Sequence, residues 1–470
     1  MQFLLRRYAR GLWGIAPVQD SLALVNSMDA IFESWVTIEQ NKLKKGQRSY
    51  LHFDNRIDYK SLTTYKKFLL DPNKIASNPF YPFIGDLIIT KRYKKDLDSN
   101  VRFIDDKKRP ICYASHRDAI IYSWYSYNLN LAYEKFIKSK NFNSSVLAYR
   151  SLEGKSNIDF AKEVFDYIKS EDNDCVAITY DVEAFFDSLD HKILRNKWLK
   201  VIRKKSLPSD VFNVYKSLTV FSRVNNPQLL DLFKITKHNK NKQSRICYPN
   251  QFRDIVRKSG LVESNSSGVG IPQGSSISAV LSNIYMIDFD KDVYEMVSLS
   301  GGIYRRYCDD IIVVVKTSEL ANVLERIPRL ISKKYKLKIN VKKSQTIFFN
   351  KAHKSSPILV GKVNLQYLGF EFNGVSTYIR SASLSKYYRK AKQSIEVSVR
   401  RAMKSKKNNG VVYRDKIYKK YTSSGSHNFI SYAIRASEIM NALEIRKQVK
   451  RHFHNLKVYI DNTINKHNEI

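Results

Sequence analysis

Four cysteines in 470 residues, at Cys112, Cys175, Cys247 and Cys308, leave no CxxC pair in the chain. That absence excludes the usual zinc spacings, offers no disulfide framework and suits a reducing compartment. Long apolar runs are missing as well. None approaches the roughly 18 residues of a membrane span, and Met1-Gln2-Phe3-Leu4-Leu5-Arg6-Arg7 lacks the apolar stretch of a signal peptide. The expectation is a soluble cytoplasmic protein with no membrane partner. No internal repeat or long low-complexity linker divides the chain. Acid is in short supply: 44 Asp and Glu face 81 Lys and Arg, a net charge of +37. Solubility does not need so much charge, and a polyanionic partner is the simplest reason to tolerate the self-repulsion. With 43% hydrophobic residues a folded interior is expected, not disorder. The basic residues are interleaved with 30 Tyr and 24 Phe, whose rings can stack on bases while Lys and Arg follow phosphates.

The length fits two to three domains or one elaborated core. Residues 1 to about 100 read as mixed helices and loops, with Trp13 and Trp35 as core. Asp105-Asp106-Lys107-Lys108-Arg109-Pro110 reads as a turn between strands, and a helix is expected from about Asp118 to Lys138. Cys175 to Asp181 reads as a strand ending in an acid, with Ser188-Leu189-Asp190-His191 as a helix cap that keeps Asp187 and Asp190 out of any metal site. Val280 to Val297 is expected to be helical. A strand pair should flank Asp309-Asp310, followed by a helix over Glu319 to Lys334 and a strand over Lys338 to Phe349. From about Ser383 the chain turns helical and basic, with 21 Lys or Arg against 6 acids in residues 376–470.

Adjacent carboxylates stand at Asp309 and Asp310, just ahead of Ile311-Ile312-Val313-Val314-Val315, a run with the two-sided apolarity of a buried strand. A charge pair at the mouth of such a strand is costly unless a cation neutralises it, and Mg²⁺ prefers carboxylate and phosphate oxygens. A polar turn is the rival explanation. Asp181 is a second strand-terminal acid, and two such acids can converge on a metal pair that activates a 3′-hydroxyl and holds a triphosphate. Between them, Gly268-Val269-Gly270-Ile271-Pro272-Gln273-Gly274-Ser275-Ser276 permits close backbone approach, with Gln273 in reach of a nucleotide or template base.

In order and content these segments resemble the palm of reverse transcriptases, especially the bacterial group that includes group II intron, retron and defence-associated (unknown-group or abortive-infection-like) enzymes. The resemblance covers roughly residues 100 to 372. It implies an α+β right-hand polymerase: an N-terminal extension and start of the fingers over 1–100, fingers and palm (antiparallel sheet plus helices) over 101–372, and a basic helical thumb or C-terminal domain over 373–470. Tyr307-Cys308-Asp309-Asp310 matches the tyrosine-x-aspartate-aspartate motif. Catalysis is thereby implied for Asp181, Asp309, Asp310 and Lys343, the last as a proton donor to pyrophosphate. Two Mg²⁺, replaceable by Mn²⁺, fall to Asp181, Val182, Asp309 and Asp310. Nucleotide contacts fall to Arg109, Arg150, Gln273 and Phe186, the last closing the sugar pocket against a 2′-hydroxyl. Primer and template contacts fall to Tyr307 and to the hairpin residues Tyr367, Leu368 and Gly369. Arg117-Asp118, and Tyr149 with Phe160-Ala161, resemble further fingers segments.

Cys308 stands where retron enzymes carry alanine, and no Val-Thr-Gly element, zinc-bearing endonuclease or ribonuclease H segment is evident. The tail around Ser426 to Ala436 is similar to defence-associated enzymes. That likeness implies a role against phage in the bacterial cytoplasm, with a non-coding template RNA, deoxynucleoside triphosphates and DNA product as partners and room for a homo-oligomer. Template-independent or protein-primed synthesis, a group II intron or retron-type enzyme, and a catalytically idle RNA scaffold stay open.

Overall fold

Residues 27–43, 50–95, 101–152, 154–236, 238–351, 358–404 and 411–468 are described by the structure, a computed structural model. Trp13 lies outside them, whereas Trp35, on the helix Met28–Leu43 (α1), is buried against Phe32 and Trp124 as core. The strands Phe83–Lys95 (β1) and Arg102–Tyr113 (β2) then form one long antiparallel hairpin. This corrects two expectations. The first hundred residues are not only helices and loops, and 105–110 is the middle of β2, where Lys107 pairs with Thr90 and Arg109 with Ile88. Continuous cross-strand pairing overrides the local turn preference of Asp and Pro. Pro110 is tolerated because β2 is the edge of its sheet, where a missing N–H is not needed.

Ser115 caps the helix His116–Ile137 (α2), and Ser156 with Asp159 forms a capping box on Asn157–Ser170 (α3). The central sheet follows the order β6-β7-β3-β8-β9, with β3 Cys175–Asp181, β6 Ile303–Tyr307, β7 Asp310–Lys316, β8 Gln345–Asn350 and β9 Ile358–Val360. In β7 the apolar run is buried from Ile311 to Val315. Ile311, Val313 and Val315 join one core, while Ile312 and Val314 join a second core on the opposite face with α3. Period-two alternation thus places β7 between two layers. The expected strand over 338–349 is shorter than read: β8 begins at Gln345, and 341–343 form a single helical turn after a bridge from Ile339 to Val182.

Two smaller sheets flank this centre. The strands Ser222–Asn225 (β4) and Val262–Ser264 (β5) extend the hairpin sheet in the order β2-β1-β4-β5. Leu365–Tyr367 (β10), Phe370–Phe372 (β11) and Thr377–Ile379 (β12) form a meander that leads into the basic helix Ser381–Lys404. The helices expected near 118–138, 280–297 and 319–334 are present, the second broken at Met286, and Asp190 caps His191–Ile202 as read.

Near the β1–β2 hairpin, His52 is completely buried, its ring 6.2 Å from that of Tyr113, its Nδ1 accepting the Phe53 N–H at 2.8 Å and its Nε2 unpartnered. Burial, and then the neighbouring His116, hold its imidazole down at about 3. Above pH 6.5 it is neutral in both folded and unfolded chains; between 6.5 and about 3 only the unfolded chain takes the proton, so stability falls as pH falls. Its share is up to about 4–5 kcal/mol. In His52→Asn, where Oδ1 replaces Nδ1 as acceptor, we expect a shallower loss of melting temperature over that window. A slope equal to wild type would refute the assignment.

Candidate active site

Antiparallel register sets Asp181, the last residue of β3, directly opposite Asp310, the first of β7. β6 and β7 are joined by Cys308 and Asp309 alone, with Tyr307 paired to Asp310. So tight a turn requires positive φ, and Cys308 takes φ 61° without being glycine, a conformation that costs about 1–2 kcal/mol. The surroundings hold it there. The Tyr149 hydroxyl donates to Cys308 Sγ at 3.2 Å, Arg306 Nη1 donates to the Cys308 carbonyl at 3.1 Å, and the Val182 N–H donates to the Asp309 carbonyl at 3.3 Å. Asp309 is thereby presented beside Asp310 and Asp181.

Two of the three carboxylates are disturbed by their surroundings. Burial pushes Asp309 up from the usual carboxylate range, and the charge of Asp181 adds to the shift. Asp310 faces water at the cleft mouth, yet protein crowded around its carboxyl removes enough solvation to push it up to about 7, helped by Asp309 and Asp181 and opposed by Lys343 and Arg380. Lys343 reaches the cluster because its segment is docked on the end of β3: the Glu183 N–H donates to the Lys338 carbonyl at 2.7 Å and the Asn340 N–H to the Asp181 carbonyl at 2.8 Å. Its ammonium donates to the Asp181 carboxylate.

Among the described residues no three His, Cys, Asp or Glu side chains stand ready-made as a cation cage; Asp181 is engaged by Lys343 instead. The donor set nevertheless suits a hard divalent ion. It offers only oxygen, and its mutual repulsion, visible in the two raised acids, is what such an ion relieves. Val182 is buried and apolar, so only its carbonyl could join, and the bridge to 338–340 uses the Asp181 carbonyl and Glu183 amide rather than that group.

The glycine-rich loop stitches the hairpin sheet to this site. The Cys112 N–H donates to the Gln273 carbonyl at 2.8 Å, and a Cβ on Gly274 (φ 124°) would lie 2.4 Å from the Cys112 carbonyl oxygen. On the side of the central sheet the Ile271 N–H donates to the Phe186 carbonyl at 2.9 Å, and a Cβ on Gly270 would meet the Asp187 carbonyl at 2.9 Å. Phe186 is half-buried against Phe185, and Gln273 keeps its side chain partly open. Arg109 shares a strand face with Lys107, whose charge lowers Asp309, so that face of β2 is turned toward the acids.

Two expected contacts are corrected. Arg150 does not offer its guanidinium to a nucleotide: its five N–H groups are spent on Glu134, Asn143 and the Val146 carbonyl, and its side chain is 2% exposed. It locks the loop that carries Tyr149. Tyr367 is not at the nucleic-acid surface either, being buried with an unpartnered hydroxyl because alternation in β10 turns it inward. The half-exposed turn beyond it, Leu368 (φ 46°) and Gly369 (φ 94°), is tied down by Asn157 Nδ2, which donates to the Leu368 carbonyl at 3.0 Å and to the Tyr432 hydroxyl at 2.9 Å. Tyr307 is half-buried, its ring 6.3 Å from that of Phe160.

Three cations escaped the sequence reading. Lys107 and Arg380 each bias one of the paired acids, and Arg306 holds the turn from below. For Arg306 a signal existed: it sits two residues after Tyr304 on the inward face of β6.

A family model described as reverse transcriptase (RNA-dependent DNA polymerase) matches residues 93–372. Among solved structures the chain is similar to apo telomerase from Candida tropicalis truncated from its C-terminal domain, at 11% identity and TM-score 0.40, covering 69% of this chain and 61% of that one. Telomerase from Candida albicans in complex with a TWJ fragment of telomeric RNA gives 15% identity and TM-score 0.39, over 86% and 65%. Apo telomerase from Candida tropicalis gives 12% identity and TM-score 0.42, over 80% and 60%. The chain thus spans under two thirds of the length of these telomerases. The search of curated proteins gave no match.

Proposed function

Because the chain belongs to the reverse transcriptase family, we propose that it is an RNA-directed DNA polymerase that adds deoxynucleotides to a 3′-hydroxyl under the direction of an RNA template. The observation that carries this reading is the register of β3 and β7, which brings Asp181, Asp310 and the strained-turn Asp309 to one point. Asp181, Asp309 and Asp310 would hold divalent cations, Mg²⁺ or Mn²⁺, which when bound activate the hydroxyl and neutralise the leaving pyrophosphate. The chain's own groups do the rest. Lys343, beside Asp181, is placed to give a proton to pyrophosphate, and Arg109 and Lys107 offer positive charge to the triphosphate. Gln273 borders the base, and the Leu368-Gly369 turn supports the primer end.

In this reading residues 101–372 form fingers and palm and 373–470 a basic thumb. The fingers hairpin straddles the first of these boundaries, since β1 starts at Phe83. The biological setting we propose is bacterial antiphage defence, with a non-coding RNA as template; its support is the likeness of the tail around Ser426 to Ala436. Primer extension on a homopolymeric RNA template tests the activity, and sequencing of the co-purifying nucleic acid tests the template. Products made equally without a template would overturn RNA direction, and unaltered phage plating in cells with and without the gene would overturn the defence role.

Phe186 carries a separate expectation. Its ring is half-buried and its carbonyl accepts from the Ile271 N–H of the glycine-rich loop, and in this reading the ring would exclude a ribose 2′-hydroxyl by bulk. Phe186→Ala should raise ribonucleotide incorporation relative to deoxynucleotide by about tenfold or more, the scale of one missing steric contact in a pocket. Competition between the two triphosphates checks it, and unchanged sugar discrimination would remove the assignment.

A further inference from the structure

Residues 234–258, in the insertion between β4 and β5, take no part in the polymerase site described above, yet their charge is strongly one-sided. They hold eight Lys or Arg against one acid, Asp254, a net +7, while the whole 470-residue chain carries +37. Charge here is more than three times as dense as the chain average. A basic run is ordinarily a solvated face, and two observations set this one apart.

The first is the lack of counter-charge. Lys234, Lys242, Arg253 and Lys258 are exposed, and among the described residues no acid pairs with any of them. The second is Tyr248, 62% exposed and lying in sequence between Lys242 and Arg253. The guanidinium of Arg245 lies 5.2 Å from its ring centroid, held there by Nε donating to Asn55 Oδ1 at 2.9 Å. One face of the ring is therefore backed by a cation while the rest is offered to solvent. The platform beneath is rigid. Ile246, Cys247, Phe252 and Val256 are buried in a small core of their own with Phe53, and the Tyr248 N–H donates to Gln251 Oε1 at 2.9 Å.

We infer that this insertion is a docking platform for single-stranded RNA, with Tyr248 stacking on an unpaired base and Lys234, Lys242, Arg253 and Lys258 on the flanking phosphates. A flat π-face within a run of cations matches a base within a run of phosphates. A duplex keeps its bases stacked inside and would leave the ring without a partner. An acidic peptide would satisfy the cations but not the ring. RNA is the strand chosen because the family copies RNA.

The test is equilibrium binding by the full chain, so a protein that fails to extend primers still answers it. Labelled oligouridylate, oligodeoxythymidylate, a blunt RNA duplex and polyglutamate are titrated across a range of salt. Tyr248→Ala is expected to weaken oligouridylate binding at least about fivefold, the lower end for one lost stacked base, and to leave the duplex unchanged. Tyr248→Phe keeps the ring and should bind as wild type, which separates stacking from misfolding. Lys242→Glu with Lys258→Glu should reduce the salt slope by about 1.4, from about 0.7 per phosphate contact on a single strand. Wild-type affinity in Tyr248→Ala, or equal loss on single strand and duplex, overturns the platform. Tighter binding of oligodeoxythymidylate overturns RNA as its occupant, and polyglutamate binding lost in the same variants reassigns the surface to an acidic protein.

Discussion

Asp309→Asn is expected to lower deoxynucleotide incorporation about a thousandfold while leaving the fold as stable as before or more so. The activity loss follows from removing one anionic oxygen from the set that would hold the cations. Metal-based charge stabilisation is worth several kcal/mol in the transition state, and about 4 kcal/mol is a factor of a thousand. The stability gain follows from the same geometry read without a substrate. Asp309 is crowded by burial and by Asp181, and Asp310 by Asp309 in turn, so a neutral isostere relieves repulsion while its Oδ1 can still accept from the Asp309 N–H and the Cys308 thiol. Single-nucleotide extension and thermal melting, measured on the same preparation, check both halves. RNA binding, proposed above for basic surface elsewhere, should be unaltered. Full synthesis in the variant would remove Asp309 from the site, and a large drop in melting temperature would mean that the carboxylate is structural.

Arg306→Ala should be the most destabilising change in the palm, by about 3–5 kcal/mol, because it strands a charge that has no water to turn to. Arg306 and Asp290 are both 0% exposed; Nε and Nη2 donate to the two carboxylate oxygens at 2.6 and 2.7 Å, and the Tyr304 hydroxyl donates to the same carboxylate at 2.6 Å. Nη1 continues to Asn283 Oδ1 at 3.2 Å and to the Cys308 carbonyl at 3.1 Å, so the pair is also the floor of the Cys308–Asp309 turn. The double variant Arg306→Met with Asp290→Leu should recover most of the stability, since apolar groups of similar size replace a buried pair at little cost. It should not recover synthesis, because the strained Cys308 conformation loses its donor. Denaturant midpoints of the two variants against wild type decide it. An Arg306→Ala midpoint equal to wild type would show that the network contributes nothing.

Local pattern carried much of this protein. The two-sided apolarity of Ile311 to Val315, the strand ending at Asp181, the cap at Asp190 and the helices near 118–138 and 319–334 are written in short-range chemistry, and each is where it was read. The reading failed where a distant partner outweighed a local preference. Asp105 to Pro110 has turn chemistry, but twelve paired positions along β1 hold it extended. Arg150 was read as a nucleotide contact, yet Glu134 and two backbone carbonyls brought close by folding consume it.

By itself, then, the sequence determined the kind of chemistry: acids at strand ends, a glycine loop between them, an excess of cations for a polyanion. Those follow from residue type and period-two spacing, which act within a few residues. Only the tertiary structure decided which groups meet. It set Asp181 across from Asp310, drew Lys343 to Asp181, buried Arg306 under the turn and left Tyr248 exposed, because cross-strand register and burial depend on residues far apart in the chain.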